Sequence, residues 1–238
     1  MPVIPDPDLP ERRTLTDADG VPLARFTQVE RDGRLVADLF ELEVPVERAL
    51  PVVTAELRGM RVAGSEDLGR ALVRAGAVPA RHAHVYSHDL RERPSEPAGL
   101  RGLDHSAADL LPAYLAAHPP DHVDAATIAG EDSEAFLAGL LRGELGPVLD
   151  CSGVAERDGR VVGAIVCAEL DAPFGGPWVM ELFRAPGAHG VGRALLERAL
   201  ARCPGPTLGL AVTEGNSAKG LYEAVGFERA FTTYSVDL

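Results

Sequence analysis

The sequence predicts an α/β protein, a mixed sheet with helices on its faces, arranged as a smaller N-terminal half and a larger C-terminal half. Its 238 residues suffice for one to two domains with cores of their own. Strand-like and helix-like segments alternate in the C-terminal half, which favours a sheet covered by helices. The 25 glycines and 19 prolines indicate many tight turns and argue against a long helical bundle.

The charge of the chain limits its partners. The chain has 23 basic and 36 acidic residues, a net charge of −13, and Lys219 is its only lysine. Nucleic acids and anionic membrane surfaces are bound by clustered Lys and Arg that displace counterions. We therefore expect neither partner, whereas the negative charge would steer cationic ligands toward the protein.

Location and cysteine chemistry are predicted from the same composition. No apolar run approaches the ~20 residues that cross a bilayer, and the N-terminus lacks the basic region and apolar core of a secretion signal. We therefore expect a cytoplasmic protein. Cys151, Cys167 and Cys203 are widely spaced, which excludes a CxxC metal site and favours packing as small apolar side chains.

The N-terminal half begins with residues 1–19, whose repeated prolines predict an extended arm over a surface. Segments 24–29 and 35–42 are strand-like and flank an Asp-Gly turn, which predicts a β-hairpin because both turn residues tolerate positive φ. Ser65 is predicted to cap a helix whose first turn holds two acidic residues. A strand over 82–90 is expected to end this half.

Prolines among charges, without apolar periodicity, mark residues 91–98 as a linker. The predicted division is therefore an arm (1–19), a half domain (20–90), this linker and a C-terminal domain (99–238). Apolar spacing and turn signals in the last part predict the order ααββ-β-α-β-α-β. The predicted helices cover 109–117, 133–141, 193–202 and 217–225, and the strands flank the turn at 158–159 and cover 178–183, 207–212 and 230–237.

The two halves share short stretches of sequence. Residues 30–34 and 156–160 are identical, Glu-Arg-Asp-Gly-Arg, and residues 86–90 resemble 234–238. Shared turn chemistry is one explanation, because Asp-Gly turns are common. Since both matches occur in the same order, we favour duplication of one unit, with the first copy shorter between hairpin and final strand.

Segment 179–196 predicts a strand, a glycine-rich turn and a helix. Glycines let a ligand approach the backbone, and the unpaired N–H groups and dipole of a helix N-terminus attract an anion such as a pyrophosphate. A tight connection without a ligand is the alternative. A dinucleotide fingerprint begun at Gly190 fails at Leu195, where its third glycine belongs, although Glu214 lies where a ribose-binding acid is expected.

Three stretches of the C-terminal domain form one pattern. They are Leu-Phe-Arg-Ala-Pro at 182–186, Gly-Val-Gly-Arg-Ala-Leu-Leu at 190–196, and an Asn followed by Ala, Leu-Tyr and Gly-Phe within 214–227. With this pattern, residues 99–238 resemble the GNAT acyltransferase superfamily. The resemblance implies the GNAT fold and a site for acyl-CoA, with acetyl-CoA as co-substrate.

The resemblance also implies contact residues. The pantetheine arm would pair with the strand at Leu182, Phe183 and Arg184, and Asn216 and Tyr222 would lie near the thioester and the sulfur. Capping of the last helix is compatible with that role for Asn216. The residues implied to hold the pyrophosphate are His189, Gly190, Val191, Gly192, Arg193 and Ala194. The family has Gln or Arg where this chain has Gly187, so His189 and Arg193 are the candidates to replace that donor.

Acyl transfer to an amine needs a base, a group that polarises the thioester carbonyl, and an acid for the departing thiolate. Tyr222 is the candidate acid, because a phenol of pKa ~10 can protonate a thiolate of pKa ~8.5 with the help of a hydrogen bond. Glu181 is the candidate base, with Glu169 and Glu214 in reserve, and backbone N–H groups from Leu182 onward would polarise the carbonyl. The alternatives are a packing role for the tyrosine and a solvated strand carboxylate for Glu181.

The first half has Pro45 where the second has Pro186, yet no Gly-x-Gly follows, and Val73 stands where Tyr222 would fall. We therefore expect residues 20–90 to be a degenerate GNAT-like half that binds no CoA.

Three histidines, His82, His84 and His88, alternate along one predicted strand and so share a face. Without a nearby thiolate or carboxylate cluster, packed or solvated histidines are favoured over zinc ligands, and no metal is predicted.

The sequence thus predicts an N-acetyltransferase that moves an acetyl, or another acyl, group from acetyl-CoA to a primary amine of a small molecule, with cationic acceptors favoured. The acceptor pocket is expected in the segments 113–128 and 171–177. The alternatives are a non-catalytic acyl-CoA-binding or regulatory module and a structural interaction domain. Monomer and homodimer both stay open.

Overall fold

A computed structural model describes residues 3–7, 9, 11–31, 33–125, 132–170 and 175–238. The chain forms two compact units. One consists of Met1–His84 and Phe231–Leu238, and the other of Val85–Ala230. The predicted α/β class with mixed strand directions is confirmed. The predicted arm, half domain, linker and C-terminal domain stay predictions.

The first unit is a mixed sheet with two helices. Its elements are β1 (Val3–Pro5), β2 (Arg12–Thr16), β3 (Pro22–Arg31), β4 (Arg34–Leu42), α1 (Val46–Glu56), β5 (Arg61–Ser65), α2 (Glu66–Arg74), the first part of β6 (Val78–Asp89) and the last part of β12 (Glu228–Asp237). Strands β1 to β4 pair antiparallel in chain order. After the α1 crossover, β5 lies parallel to β4, and β12 pairs antiparallel with β5.

Local sequence signals account for part of this unit. The predicted hairpin is confirmed by the pairing of β3 with β4, which closes at Arg31 and Arg34, while Asp32 lies outside the described residues. Ser65 caps α2 as predicted, since its hydroxyl accepts a hydrogen bond from the backbone N–H of Leu68 at 3.4 Å.

Two features of this unit depend on packing in the folded unit and were not predicted from local sequence signals. The predicted arm contains β1 and β2, and Leu15 within it is fully buried, so this segment contributes to the core. Helix α1 has no counterpart in the sequence prediction, because Pro51 inside it disfavours a helix. Its Ala49 and Val53 are fully buried, and packing of that face stabilises the helix despite the missing hydrogen bond.

The second unit is a mixed sheet with helices on both faces. Its further elements are β7 (Leu100–Gly102), α3 (Ala107–Ala117), α4 (Ser133–Leu141), β8 (Gly153–Arg157), β9 (Arg160–Leu170), β10 (Gly176–Arg184), α5 (Val191–Arg202), β11 (Thr207–Thr213) and α6 (Lys219–Ala224). Strands β7 to β10 pair antiparallel in chain order, and β11 lies parallel to β10 after the α5 crossover. One apolar core joins the sheet to α5 and α6, and another joins it to α3 and α4. The cysteines Cys151, Cys167 and Cys203 are all buried, as predicted.

The same succession of strand, helix, parallel strand, helix and strand occurs twice, as β4, α1, β5, α2, β6 and as β10, α5, β11, α6, β12. The identical pentapeptides do not occupy equivalent places in it. Residues 30–34 form the turn between β3 and β4, whereas residues 156–160 form the turn between β8 and β9, one strand earlier. The identical pentapeptides therefore do not mark equivalent turns, and the duplication with a shorter first copy stays a prediction.

Gly209 of β11 lies against the ring of Trp178 in β10. A Cβ atom at this glycine would come within 2.4 Å of the indole ring. We therefore expect Gly209→Ala to lower the free energy of unfolding by about 1–3 kcal/mol through overpacking. Urea unfolding followed by the fluorescence of Trp178, the only tryptophan, measures this change.

The matched control is Gly220→Ala in α6, where nothing lies within 4 Å of the added Cβ. Alanine favours a helix over glycine, so this variant is expected to be as stable as the parent or more stable. Equal stability of the two variants would contradict the prediction.

Candidate functional site

β10 and β11 are paired only where they begin. Their register consists of Trp178 with Gly209 and Val179 with Leu210, although both strands continue for several residues, and a bulge in β10 follows directly. The two strands therefore separate beyond these pairs, and the gap between them is called the wedge below. On the β10 side, the backbone of residues 182–184 lines this wedge, where the sequence predicts pairing with an extended ligand.

The side chains of these three strand residues differ in environment. Leu182 is half-buried beside the core of α5 and α6, while Phe183 is buried on the opposite face, 5.3 Å from the ring of Tyr114 in a T-shaped contact. Arg184 is exposed. A ligand in the wedge would therefore meet the backbone of these three residues, which is what they have in common.

The turn between β10 and α5 ends in the N-terminus of a twelve-residue helix. Gly190, the N-cap, has φ 79°, a left-handed conformation that favours glycine. The N–H of Val191 bonds to the carbonyl of Ala188 at 3.3 Å, and the N–H of Ala194 bonds to Gly190 at 3.0 Å. The backbone N–H groups of Gly192 and Arg193, which lie between these two residues, have no acceptor within the helix. The first turn of the helix also holds no acidic residue. The arrangement suits an anion.

The predicted replacement donors at this turn differ in availability. His189 is exposed. The Arg193 guanidinium is engaged by Glu197, with Nε 2.8 Å from the carboxylate. An anion at the turn would thus meet backbone amides and the imidazole directly, whereas the arginine would have to exchange partners.

A cavity of about 410 Å³ lies beside the first turn of α5 and the end of α6. Its lining residues are His88, Glu92, Arg93, Pro94, Arg193, Glu197, Leu200, Ala224 and Val225. Arg193 lines this cavity and also belongs to the first turn of α5.

Tyr222 of α6 is only 7% exposed and lies between the rings of Tyr86, at 6.4 Å, and Phe227, at 6.1 Å. Among the described residues, no hydrogen-bond partner of its hydroxyl is present. Burial, and then the negative charges of Glu181 and Asp124, raise the pKa of this phenol well above its usual value. Tyr222 is therefore protonated at neutral pH and can donate a hydrogen bond.

The two predicted catalytic candidates interact electrostatically. Glu181 is half-buried on β10 and acts on Tyr222 through its charge. The reserve bases lie differently: Glu214 is paired with Lys219 at 2.7 Å on the surface, and Glu169 is exposed. The predicted roles of all these residues stay predictions.

Asn216 uses both ends of its side-chain amide. Oδ1 accepts from the backbone N–H of Ala218 at 2.9 Å and so closes a turn just before α6. The predicted capping of the last helix by Asn216 is wrong, because the N-cap is Ala218 and no side chain caps this helix. Nδ2 donates to Oδ2 of Asp124 at 3.3 Å. Sequence reasoning missed Asp124, which belongs to no motif and lies in the expected acceptor segment 113–128. Residues 126–128 of that segment, and 171–174 of the segment 171–177, lie outside the described residues.

Two of the three histidines that alternate along β6 take part in packing in the first unit. The ring of His82 stacks on Tyr234 at 4.8 Å, and Nδ1 of His84 lies 2.8 Å from the hydroxyl of Thr232. Within the described parts of the chain, no group of three or more His, Cys, Asp or Glu is arranged to hold a metal ion. No helix in those parts has the length and apolar character needed to cross a membrane.

Comparison with known proteins identifies the pattern of the second unit. Residues 110–227 match the model of the Acetyltransferase (GNAT) family. A GCN5-related N-acetyltransferase from Sphaerobacter thermophilus is similar in structure, with a TM-score of 0.59 and 16% identity, covering 95% of this chain and 79% of that chain. An acetyltransferase from the GNAT family of Colwellia psychrerythraea gives a TM-score of 0.53 and 13% identity, covering 94% of this chain and 84% of that one.

A conserved protein of unknown function from Staphylococcus epidermidis also shares the fold, with a TM-score of 0.56 and 12% identity, covering 89% of this chain and 93% of that chain. At these identities the likeness concerns the fold alone. No curated protein matches the chain in sequence.

Proposed function

Residues 110–227 form a domain of the acetyltransferase (GNAT) family, and from this premise we propose that the protein transfers an acetyl group from acetyl-CoA to a primary amine of a small-molecule acceptor. The observation that carries the proposal is the wedge between β10 and β11, which opens beside the N-terminus of α5. An extended pantetheine arm would pair with the backbone of residues 182–184. The pyrophosphate would lie on the amides at residues 189–194, where a helix N-terminus attracts negative charge.

The neighbouring side chains supply the remaining requirements of acyl transfer. Glu181 takes a proton from the acceptor ammonium, and the free amine attacks the thioester carbon, whose oxygen is polarised by backbone N–H groups of β10. The C–S bond then breaks, and Tyr222 donates its proton to the departing thiolate. The resulting phenolate takes the extra proton from the acylated nitrogen, which leaves a neutral amide and restores the phenol. The raised pKa of Tyr222 keeps the phenol protonated at neutral pH, and because it also makes full transfer of that proton to a thiolate less favourable, the role depends on a hydrogen bond to the departing sulfur.

The first unit supports the proposed absence of a CoA site in residues 20–90. Its parallel strands β4 and β5 stay paired as far as Phe40 and Gly64, and a Cβ at Gly64 would come within 2.9 Å of the Phe40 carbonyl. The first turn of α1 carries Glu47, which would repel a pyrophosphate. We therefore propose that this half is a degenerate copy that binds no CoA.

Thermal melting with acetyl-CoA tests the binding step. A ligand held by the native state alone stabilises it by about 2.7 kcal/mol at a hundred times its Kd, so we expect a rise in melting temperature of several degrees. A melting temperature that stays constant up to millimolar acetyl-CoA would contradict the proposed site and favour a structural interaction domain.

Release of free CoA thiol, measured across a panel of amines, tests the chemical step. We expect turnover with at least one primary amine and none with the corresponding alcohol. A second function, a non-catalytic CoA-binding or regulatory module, is favoured by the pairing of Arg193 with Glu197 and by Gly187 in place of a side-chain donor. Stabilisation by acetyl-CoA without thiol release from any amine would support that second function.

A further inference from the structure

The hydroxyl of Thr213 is a buried polar group that the proposed mechanism does not use. Its oxygen is closed to solvent and has no hydrogen-bond partner among the described residues. A hydroxyl buried in this way loses its hydrogen bonds to water and gains none from the protein, so the arrangement destabilises the fold. Since buried polar groups are normally hydrogen-bonded, a hydroxyl that is not calls for an explanation.

Thr213 is the last residue of β11, at the open end of the wedge. β10 and β11 are paired only as far as Val179 and Leu210, and β11 continues beyond that point to Thr213. The Thr213 carbonyl accepts the backbone N–H of Asn216 at 3.1 Å, so the residue also begins the turn that leads to α6. The hydroxyl therefore belongs to the part of the molecule where the thioester is proposed to lie.

The alternation of side chains along β11 gives the face on which this hydroxyl lies. Leu208, Leu210 and Val212 belong to the apolar core that joins the sheet to α5 and α6. Successive side chains of a strand point to opposite faces of the sheet. Thr213 therefore lies on the other face, which carries α3 and α4.

Glu181, the proposed base, lies on the same face as Thr213. It pairs with Val166 of β9, whose neighbours Ile165 and Cys167 both belong to the core of α5 and α6. Val166 therefore points away from that core, and Glu181 beside it does the same, because directly paired residues share a face. Glu181 and Thr213 thus occupy the two strands that border the wedge, on one face of the sheet.

We propose that the Thr213 hydroxyl binds the reacting amine of the acceptor by accepting a hydrogen bond from its nitrogen. This inference rests on the proposed function and adds an acceptor-binding group to the same site. The acceptor ammonium has three N–H groups, and Glu181 removes the proton of one. A second N–H bonded to Thr213 would hold the nitrogen between the two strands, with its lone pair free to attack the thioester in the wedge.

The position of the hydroxyl favours the acceptor over the co-substrate as its partner. The pantetheine arm is proposed to lie between the strands, where it meets the backbone of residues 182–184. The acceptor has to approach from the face on which its base Glu181 lies, and Thr213 is on that face. The residue as a whole is half-buried, and threonine has staggered rotamers about χ1, so the hydroxyl can turn toward an arriving amine.

Thr213→Val tests the unpartnered state of the hydroxyl without any ligand. Valine has nearly the shape of threonine and no polar side-chain atom, so we expect the melting temperature to rise by about 2–4 °C. The control is Thr207→Val at the exposed start of the same strand, where the hydroxyl can bond to water. Its melting temperature is expected to stay within about 1 °C of the parent. A melting temperature of Thr213→Val at or below that of the parent would overturn the inference.

Release of CoA thiol with the primary amine that the parent acetylates fastest tests binding of the acceptor. We expect Thr213→Val to lower kcat/KM for this amine about ten-fold, as for the loss of a hydrogen bond to a charged group, and to leave the Kd for acetyl-CoA within about two-fold. Thr213→Ser loses the methyl group but keeps the hydroxyl, so its kcat/KM is expected to stay within about three-fold of the parent.

Three kinetic results would contradict the assignment of the hydroxyl to the acceptor. They are an unchanged kcat/KM in Thr213→Val, an equal loss in Thr213→Ser, and a loss of acetyl-CoA affinity as large as the loss of kcat/KM. Failure of the proposed function has a different signature, since the parent itself would then release no thiol with any amine, and the inference would fall with it.

Discussion

Tyr222→Phe is expected to lower kcat for acetyl transfer about a hundred-fold, in the range typical for the loss of a general acid. Removing the hydroxyl leaves the departing thiolate without its proton donor, whereas the ring continues to fill the space between Tyr86 and Phe227. The Kd for acetyl-CoA is therefore expected to change by less than about two-fold. Steady-state kinetics with the best amine of the panel, together with calorimetric titration of acetyl-CoA, measure the two effects.

Tyr86→Phe is the matched control for this variant. Tyr86 is also buried, but its hydroxyl donates to Glu223 at 2.8 Å and so has a structural partner. Losing this hydrogen bond is expected to reduce stability by about 1 kcal/mol without a comparable loss of kcat. An unchanged kcat in Tyr222→Phe, or an equal loss in both variants, would remove Tyr222 from the acid role.

Gly192→Asp is expected to weaken acetyl-CoA binding by about a hundred-fold or more, because like charges brought together cost several kcal/mol. A Cβ at this position would lie 3.4 Å from Leu221 and 3.9 Å from Arg184, which are ordinary contacts, so the helix can accept a side chain. The new carboxylate would then lie in the first turn of α5, where the proposed pyrophosphate meets the backbone amides. Titration calorimetry measures the Kd, and circular dichroism checks the fold.

Gly192→Asn separates charge from bulk, since it has nearly the same shape as the aspartate and no charge. We expect it to bind acetyl-CoA substantially more tightly than Gly192→Asp does. If the two variants lose affinity equally, steric blocking explains the loss. If Gly192→Asp binds as well as the parent, the pyrophosphate lies elsewhere and the proposed binding mode fails.

Signals that act over a few residues predicted much of the fold. The Asp-Gly turn before β4 and the hydroxyl of Ser65 were sufficient for a hairpin and a helix start, because both depend on backbone conformation within one turn. The helix at α1 could not be predicted in this way. Its Pro51 opposes a helix locally, and burial of Ala49 and Val53, which only the folded unit provides, outweighs that effect.

The pentapeptide repeat shows the limit of sequence identity as a guide to position. The first copy of the pentapeptide lies between β3 and β4, and the second lies between β8 and β9, so the two copies join different pairs of strands. A turn constrains only its own residues, so its sequence recurs wherever two strands must be joined tightly. The strands that occupy similar places in the two units are identified by their parallel pairing after a helical crossover, β4 with β5 after α1 and β10 with β11 after α5. The repeated pentapeptide does not identify them.

By itself, the sequence determined the order of most helices and strands and the chemical groups available, because periodicity, caps and turn residues act within short stretches of chain. It also placed a glycine-bearing turn before α5 and Tyr222 on the last helix. Only the tertiary structure decided that β10 and β11 part after two residue pairs, and that Glu181 and Asp124 both act on the same buried phenol. Asp124 is far from these partners in the chain, and contacts of that kind depend on how the folded elements pack, which no local pattern encodes.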